Sequence, residues 1–215
     1  MPIPAIAPYP MPTVEDLPAS SLTWRPDPAR AVLLLHDMQH YFLAPFAGDE
    51  SPRADLETNT ARLRAAATAA GDPVVYSAQP GDLTAEQRGL LHDLWGPGMA
   101  RDDARDIPSW LAPADGDTVL TKWRYSACHG TGLDEVLAGL GRDQLIVSGV
   151  YANTGCLVSA VDAFSRDLET FVVHDAVADF SAADHRQALH YAATRCAVVL
   201  GTDTVLTHLA GPGAG

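Results

Sequence analysis

The apolar run AVLLL (31–35) passes directly into HDMQHYF, which places His36 and Asp37 at the end of a strand-length hydrophobic segment. A carboxylate there is costly unless it is paired or used. Asp37 is therefore a candidate acid or base, or else a cap for the segment that follows. His36 and His40 stand four apart, as zinc ligands on a helix do, but that motif needs a Glu after the first His and a helical setting. Here an Asp follows on a strand, so no metal is expected and His36 is read as packing or hydrogen-bonding beside the strand. The stretch GVYANTGC (149–156) ends in Cys156, and the question is whether that thiol is a nucleophile or the turn works without one. KWRYS (122–126) offers Lys122 and Arg124, which strand alternation would aim to the same side, toward an anionic substrate. AQPGDLTAEQR (78–88) offers Gln79, with a donor and an acceptor, and Arg88, a rigid fork suited to carboxylate. An Arg on a helix is more commonly just solvated. CHGTG (128–132) lacks both the G-x-G-x-x-G and the GK[ST] spacing, so nucleotide binding is not expected.

The elements that must position these residues alternate. Strands are read at 31–35, 73–77, 117–121, 144–149, 170–175 and in CAVVLG (196–201). Helices are read at 56–70, 84–95 (with Thr84 and Gln87 spaced as a capping box), 133–140, 157–167 and 181–195, the last capped by Ser181. Strand–helix alternation implies parallel βαβ units with right-handed crossovers. The expected fold is a three-layer α/β/α domain. Ligands of such sheets sit outside the carboxyl ends of the strands, which selects the positions after Leu35, Ser77, Thr121 and Ser148. Residues 1–28, where prolines recur without apolar periodicity, are read as an extended arm, 29–208 as the domain, and 209–215 as a disordered tail.

The chain has 215 residues, 47% hydrophobic and 19% charged, enough for one domain with a sizeable core. A formal charge of −13 argues against nucleic acid or anionic membrane as partner. No apolar stretch approaches the roughly 20 residues that span a bilayer, and the Pro-rich N-terminus lacks the basic region of a signal peptide. Three scattered cysteines without a CxxC pair suit a reducing compartment. A cytoplasmic protein is expected.

The segments LLLHDMQHYF, YSAQPGDLTAEQRGLLHDLWGPGM, TKWRYSA, RDQLIVSGVYA and DAVADFS occur in an order, and over nearly the whole length, that resembles the isochorismatase-like hydrolases, most nearly their phenazine- and siderophore-pathway members. The resemblance implies a Rossmann-like six-stranded parallel sheet of order 3-2-1-4-5-6. It also implies hydrolysis, without cofactor or metal, of the enolpyruvyl (vinyl) ether of 2-amino-2-deoxyisochorismate, isochorismate or both. A cysteine-hydrolase branch of the family uses an Asp, Lys and Cys triad, and its turn laid on GVYANTGC places the nucleophile at Gly155. Cys156 is one residue out of register, about 100° around a helix. Gly155 is expected to leave room for substrate.

By the same resemblance Asp37 is the general acid, with Lys122 binding carboxylate or orienting the leaving oxygen. Gln79, Arg88 and Tyr151 line the substrate site, with Phe42 and Trp95 as its apolar wall. The implied partners are a small anionic chorismate-derived substrate and a second copy of the chain, onto which the arm could pack. Asn153 stands where those relatives usually carry His. The competing readings are a cysteine-dependent amidase of the nicotinamidase type and a non-catalytic, ligand-binding relative.

Overall fold

Every residue of β1 (Ala31–His36) is buried, which explains the absence of alternation in its sequence. In the computed structural model, which describes residues 3–99 and 104–210, Leu33 and Leu35 enter one hydrophobic layer while Val32 and Leu34 enter the other. The first layer holds Leu56 and Leu63 of α2 (Arg53–Ala70) and Val205 and Leu209 of α8 (Thr202–Leu209). The second holds Leu133 and Leu137 of α5 (Leu133–Leu140), Ala160 of α6 (Leu157–Phe164), and Ala188 and Leu189 of α7 (Ala182–Arg195).

Between the layers, β1 pairs in parallel with β2 (Val74–Ala78) and β4 (Gln144–Val150). Next come β3 (Thr118–Thr121) on one side, and β5 (Glu169–Ala178) then β6 (Val198–Leu200) on the other. The order β3-β2-β1-β4-β5-β6 is the expected one. The chain reverses direction across the sheet between β1 and β4, so their carboxyl ends flank the crevice where such sheets bind ligands. There Gly149 has φ +115 and so little clearance that a Cβ would lie 2.2 Å from the carbonyl oxygen of His36. Glycine alone allows that approach of the two strand ends.

Several expectations need correction. The helix read over 84–95 is two, α3 (Ala85–Arg88) and α4 (Leu90–Trp95), broken at Gly89 with φ +56, although the Thr84–Gln87 capping box forms. The segment Thr202–Leu209, read as no element, is helix α8, so the tail boundary at 209 falls on its last residue; residues 211–215 lie outside the described residues. The arm packs on its own domain. Ile6 bridges Phe46 and is 1% exposed, and Tyr9 is buried in the same layer as α2 and α8. None of the helices among the described residues is long and apolar enough to cross a membrane.

Candidate active site

Asp37 leaves β1 with φ +50, a left-handed conformation uncommon outside glycine. A residue held there costs on the order of 1–3 kcal/mol and tends to mark a functional site. Its amide donates to the backbone oxygen of Ser77 at 3.1 Å, at the end of the adjacent β2. The carboxylate is 3% exposed. Its Oδ1 accepts from Ser77 Oγ at 2.8 Å, and its Oδ2 from Gln79 Nε2 at 3.1 Å and Lys122 Nζ at 2.8 Å. Burial alone would raise this carboxyl, but the Lys122 ammonium, with His36 and the hydrogen bonds from Lys122 and Ser77, holds it below the usual carboxylate range.

Lys122 follows β3 and is 1% exposed. Its other protons go to the carbonyl oxygens of Arg124 at 2.7 Å and Tyr125 at 3.3 Å. An ammonium has three donors, and all three are engaged. Lys122 is thus the counter-ion of Asp37 and has no spare donor for a substrate carboxylate while that pair is intact. Arg124 does not converge with it, because the strand stops at Thr121. Its guanidinium instead donates to the carbonyl oxygens of Gln87 at 3.2 Å and Trp123 at 2.7 Å.

The helical arginine proves to be buried rather than solvated. Arg88 is 6% exposed and donates to Gly96 O at 2.9 Å and Gln79 Oε1 at 3.2 Å. It has no carboxylate partner among the described residues, and burial lowers its pKa from the ordinary guanidinium value. Gln79 therefore bridges the two charged groups, giving its nitrogen to Asp37 and its oxygen to Arg88. Gln39 in turn fixes the Gln79 backbone, accepting from its N–H at 2.8 Å and donating to its O at 2.9 Å.

These groups face one partly enclosed cavity. The expected Phe42, Trp95, Tyr151 and Gly155 all line it, with Gln79, Arg88, Asp37 and Lys122. Tyr151 donates its hydroxyl to Phe42 O at 2.6 Å, and Trp95 Nε1 donates to Tyr125 Oη at 2.7 Å. The sequence reading missed Tyr41, Tyr125, Thr154 and Phe180 on the wall, and Ile3 from the arm. Tyr125 lay inside the quoted KWRYS, Thr154 inside the quoted turn, Tyr41 inside HDMQHYF and Phe180 inside DAVADFS; none of them, nor Ile3, carried a spacing signal. A broader depression beside β3 contains neither Asp37, Lys122 nor Arg88.

The turn is a five-residue π-helical segment, Ala152–Cys156, preceded by a cis Val150–Tyr151 peptide. Gly155 borders the cavity, but the space beside its Cα is not left to a ligand. A Cβ there would lie 2.1 Å from Cε1 of His36, whose ring occupies the place. That ring spans Val150 O (2.8 Å from Nδ1) and Tyr125 O (3.3 Å from Nε2), so His36 ties the loops after β3 and β4 together. His40, by contrast, opens the short helix α1 (His40–Leu43), and no metal-ligand cluster occurs among the described residues. Cys156 points the other way. It is fully buried among apolar residues of the second layer and does not line the cavity, and burial pushes its thiol well above the ordinary value. A thiol in that state is a poor nucleophile.

The isochorismatase domain family matches residues 31–204. The chain is 54% identical to phenazine biosynthesis protein PhzD1 of Pseudomonas aeruginosa over 205 residues, covering 95% of this chain and 98% of that one. It is 51% identical to the isochorismatase of Bacillus subtilis over 210 residues, covering 97% of this chain and 67% of the other. Among solved structures, a cysteine hydrolase from Pseudomonas syringae pv. phaseolicola superposes with a TM-score of 0.80 at 27% identity, covering 90% of this chain and 97% of that one. The sheet order, the site at its switch point and these matches agree: the chain belongs to the isochorismatase family of hydrolases.

Proposed function

We propose that the chain hydrolyses the enolpyruvyl ether of 2-amino-2-deoxyisochorismate, and of isochorismate less efficiently, to pyruvate and the corresponding dihydro-hydroxy acid. The observation that carries the reading is the composition of the cavity: a buried Asp37–Lys122 pair, a buried arginine without a carboxylate partner among the described residues, and no thiol. The resemblance to the phenazine protein favours the amino substrate. A binding-only role does not account for a strained, fully engaged carboxylate facing the cavity.

In this mechanism Asp37 enters protonated and gives its proton to the terminal CH₂ of the vinyl ether. The C=C pair forms the new C–H bond and leaves an oxocarbenium ion beside the regenerated Asp37 carboxylate. Water adds to that cation and its proton returns to Asp37. The resulting hemiketal collapses, its C–O bond to the ring breaking to release the ring hydroxyl and pyruvate. A carboxyl that its surroundings hold below the ordinary range is a strong acid once protonated, as protonation of carbon requires. The cost is a small protonated population in the free enzyme. A substrate with two carboxylates raises that population by bringing negative charge beside Asp37. Protonation of Asp37 also frees one donor of Lys122 for the ether oxygen or a carboxylate, and Arg88 supplies a fork for the other.

The reading extends to a cytoplasmic homodimer. Three free cysteines support a reducing compartment, and the outer edge of β3, where Val119 is half exposed, offers an unpaired strand. Incubation with each purified ether, with pyruvate followed by a coupled dehydrogenase assay, tests the activity. Preference for isochorismate overturns the substrate assignment, and no turnover of either overturns the reading. Sedimentation velocity tests the dimer.

A further inference from the structure

Asp179 lies in the segment DAVADFS, directly after β5, is 0% exposed, and takes no part in the chemistry above. Its two oxygens are spent on backbone donors from different walls of the cavity. Oδ2 accepts the N–H of Asn153, in the middle of the π-helical turn, and Oδ1 accepts the N–H of Phe180 at 2.7 Å. On the turn side, the next two residues, Thr154 and Gly155, line the cavity. On the other side, the Phe180 ring lies 4.3 Å from Tyr151 and 5.7 Å from Trp95, centroid to centroid. One carboxylate thus spans two walls.

Asp179 is itself held by the arm. Its N–H donates to Tyr9 Oη at 2.8 Å, and the Tyr9 hydroxyl faces both Asp179 O at 3.1 Å and His185 Nδ1 at 3.3 Å. His185 Nε2 lies 3.1 Å from the carbonyl oxygen of His174, so that nitrogen carries the proton and Nδ1 accepts. The Tyr9 hydroxyl thus accepts from Asp179 N–H and has one proton to give to Asp179 O or His185 Nδ1, while His185 N–H donates to His174 O.

We infer that Asp179, locked by Tyr9 of the N-terminal arm, is a positioning residue of the active site, which fixes the Asn153–Gly155 turn and the Phe180 wall in the shape the reaction needs. The inference rests on the reading of this cavity as the catalytic site. A carboxylate is required because it offers two acceptors to two N–H groups. In Asp179→Asn one oxygen becomes an NH₂ and one of the two backbone donors faces another donor. Tyr9→Phe keeps the ring and removes only the hydroxyl that anchors Asp179.

The experiment compares wild type, Asp179→Asn and Tyr9→Phe by steady-state kinetics and by amide hydrogen exchange resolved to peptides. For both variants kcat falls by about tenfold or more, on the scale of a lost buried hydrogen bond. Exchange rises by a similar factor in peptides containing 150–156 and 179–180, while peptides from α2 and β1 are unchanged. If exchange rises equally everywhere, or the turn peptides stay protected, the positioning role is wrong. If Asp179→Asn does not fold, Tyr9→Phe alone decides by the same criteria. Wild-type turnover is measured first. Its absence removes the functional reading, while the exchange data still judge whether Asp179 holds the turn.

Discussion

The ring of His36 stands where the side chain of residue 155 would begin: a Cβ on Gly155 would meet His36 Cε1 at 2.1 Å. The two residues are a matched pair, one filling the space the other vacates. The imidazole is also braced against Val150 O and Tyr125 O and has nowhere simple to go. Gly155→Ala must therefore break that brace. We expect a loss of kcat of about tenfold or more together with a lower Tm, since overpacking a tight site costs about 1–3 kcal/mol. A variant with wild-type kcat and Tm would show that the His36 ring moves freely.

Asp37→Asn removes the transferable proton and keeps the shape. Turnover should fall by about 10²–10⁴-fold, the range for loss of a general acid, while calorimetry still shows binding of the intact ether. Retention of more than a few per cent of kcat would assign the proton to another group.

Cys156→Ala should leave kcat/KM within about threefold, because a buried thiol without thiolate character does no nucleophilic chemistry. Inactivation of a folded variant, or a covalent adduct on Cys156 in a mass spectrum of wild type during turnover, would restore the amidase reading.

Arg88→Met keeps the buried stem and removes the fork. The expected result is a rise in KM of about 10- to 100-fold, the value of one charge-assisted hydrogen-bonded pair, with a smaller change in kcat. An unchanged KM would move the carboxylate site elsewhere in the cavity.

The pH dependence follows from the direction of the Asp37 shift. The ion pair with Lys122, acting against burial, holds the carboxyl below its ordinary value, so the free enzyme is ionised at neutral pH. The protonated fraction, and with it kcat/KM, should fall about tenfold per pH unit between about pH 6 and 8. In the complex, substrate charge raises the Asp37 pKa, so kcat should fall less steeply. A kcat/KM that rises through this interval would make Asp37 a base.

Much of the architecture was legible because burial leaves a plain signature. Continuous apolar runs mark strands covered on both faces, and the rule about strand ends picks out Asp37 and Lys122 without any family likeness. Helix α8 escaped because TDTVLTHL is short, rich in β-branched and polar residues, and opened by Gly201 without a side-chain cap. The break at Gly89 escaped because the capping box at Thr84 starts a helix but does not say how long it runs. Arg124 was misplaced because alternation was carried past the end of a strand. The burial of Arg88, the brace formed by His36 and the wall residues Tyr41 and Phe180 depend on loops meeting in space, for which local sequence has no period. Aligning the turn placed the absent nucleophile at Gly155 but could not say what fills the gap.

Tyr9 and Asp179 lie 170 residues apart in the chain, and this has a consequence for biosynthesis. Asp37, Ser77, Gln79, Arg88 and Lys122 have all been translated long before the turn and the end of β5 emerge from the ribosome. Ile6 of the arm can meet Phe46 early, but the Tyr9 hydroxyl waits, because the strand end that receives it does not yet exist when the arm is made. The nascent protein can thus bring its charged groups together without a finished cavity, and completion awaits the end of β5.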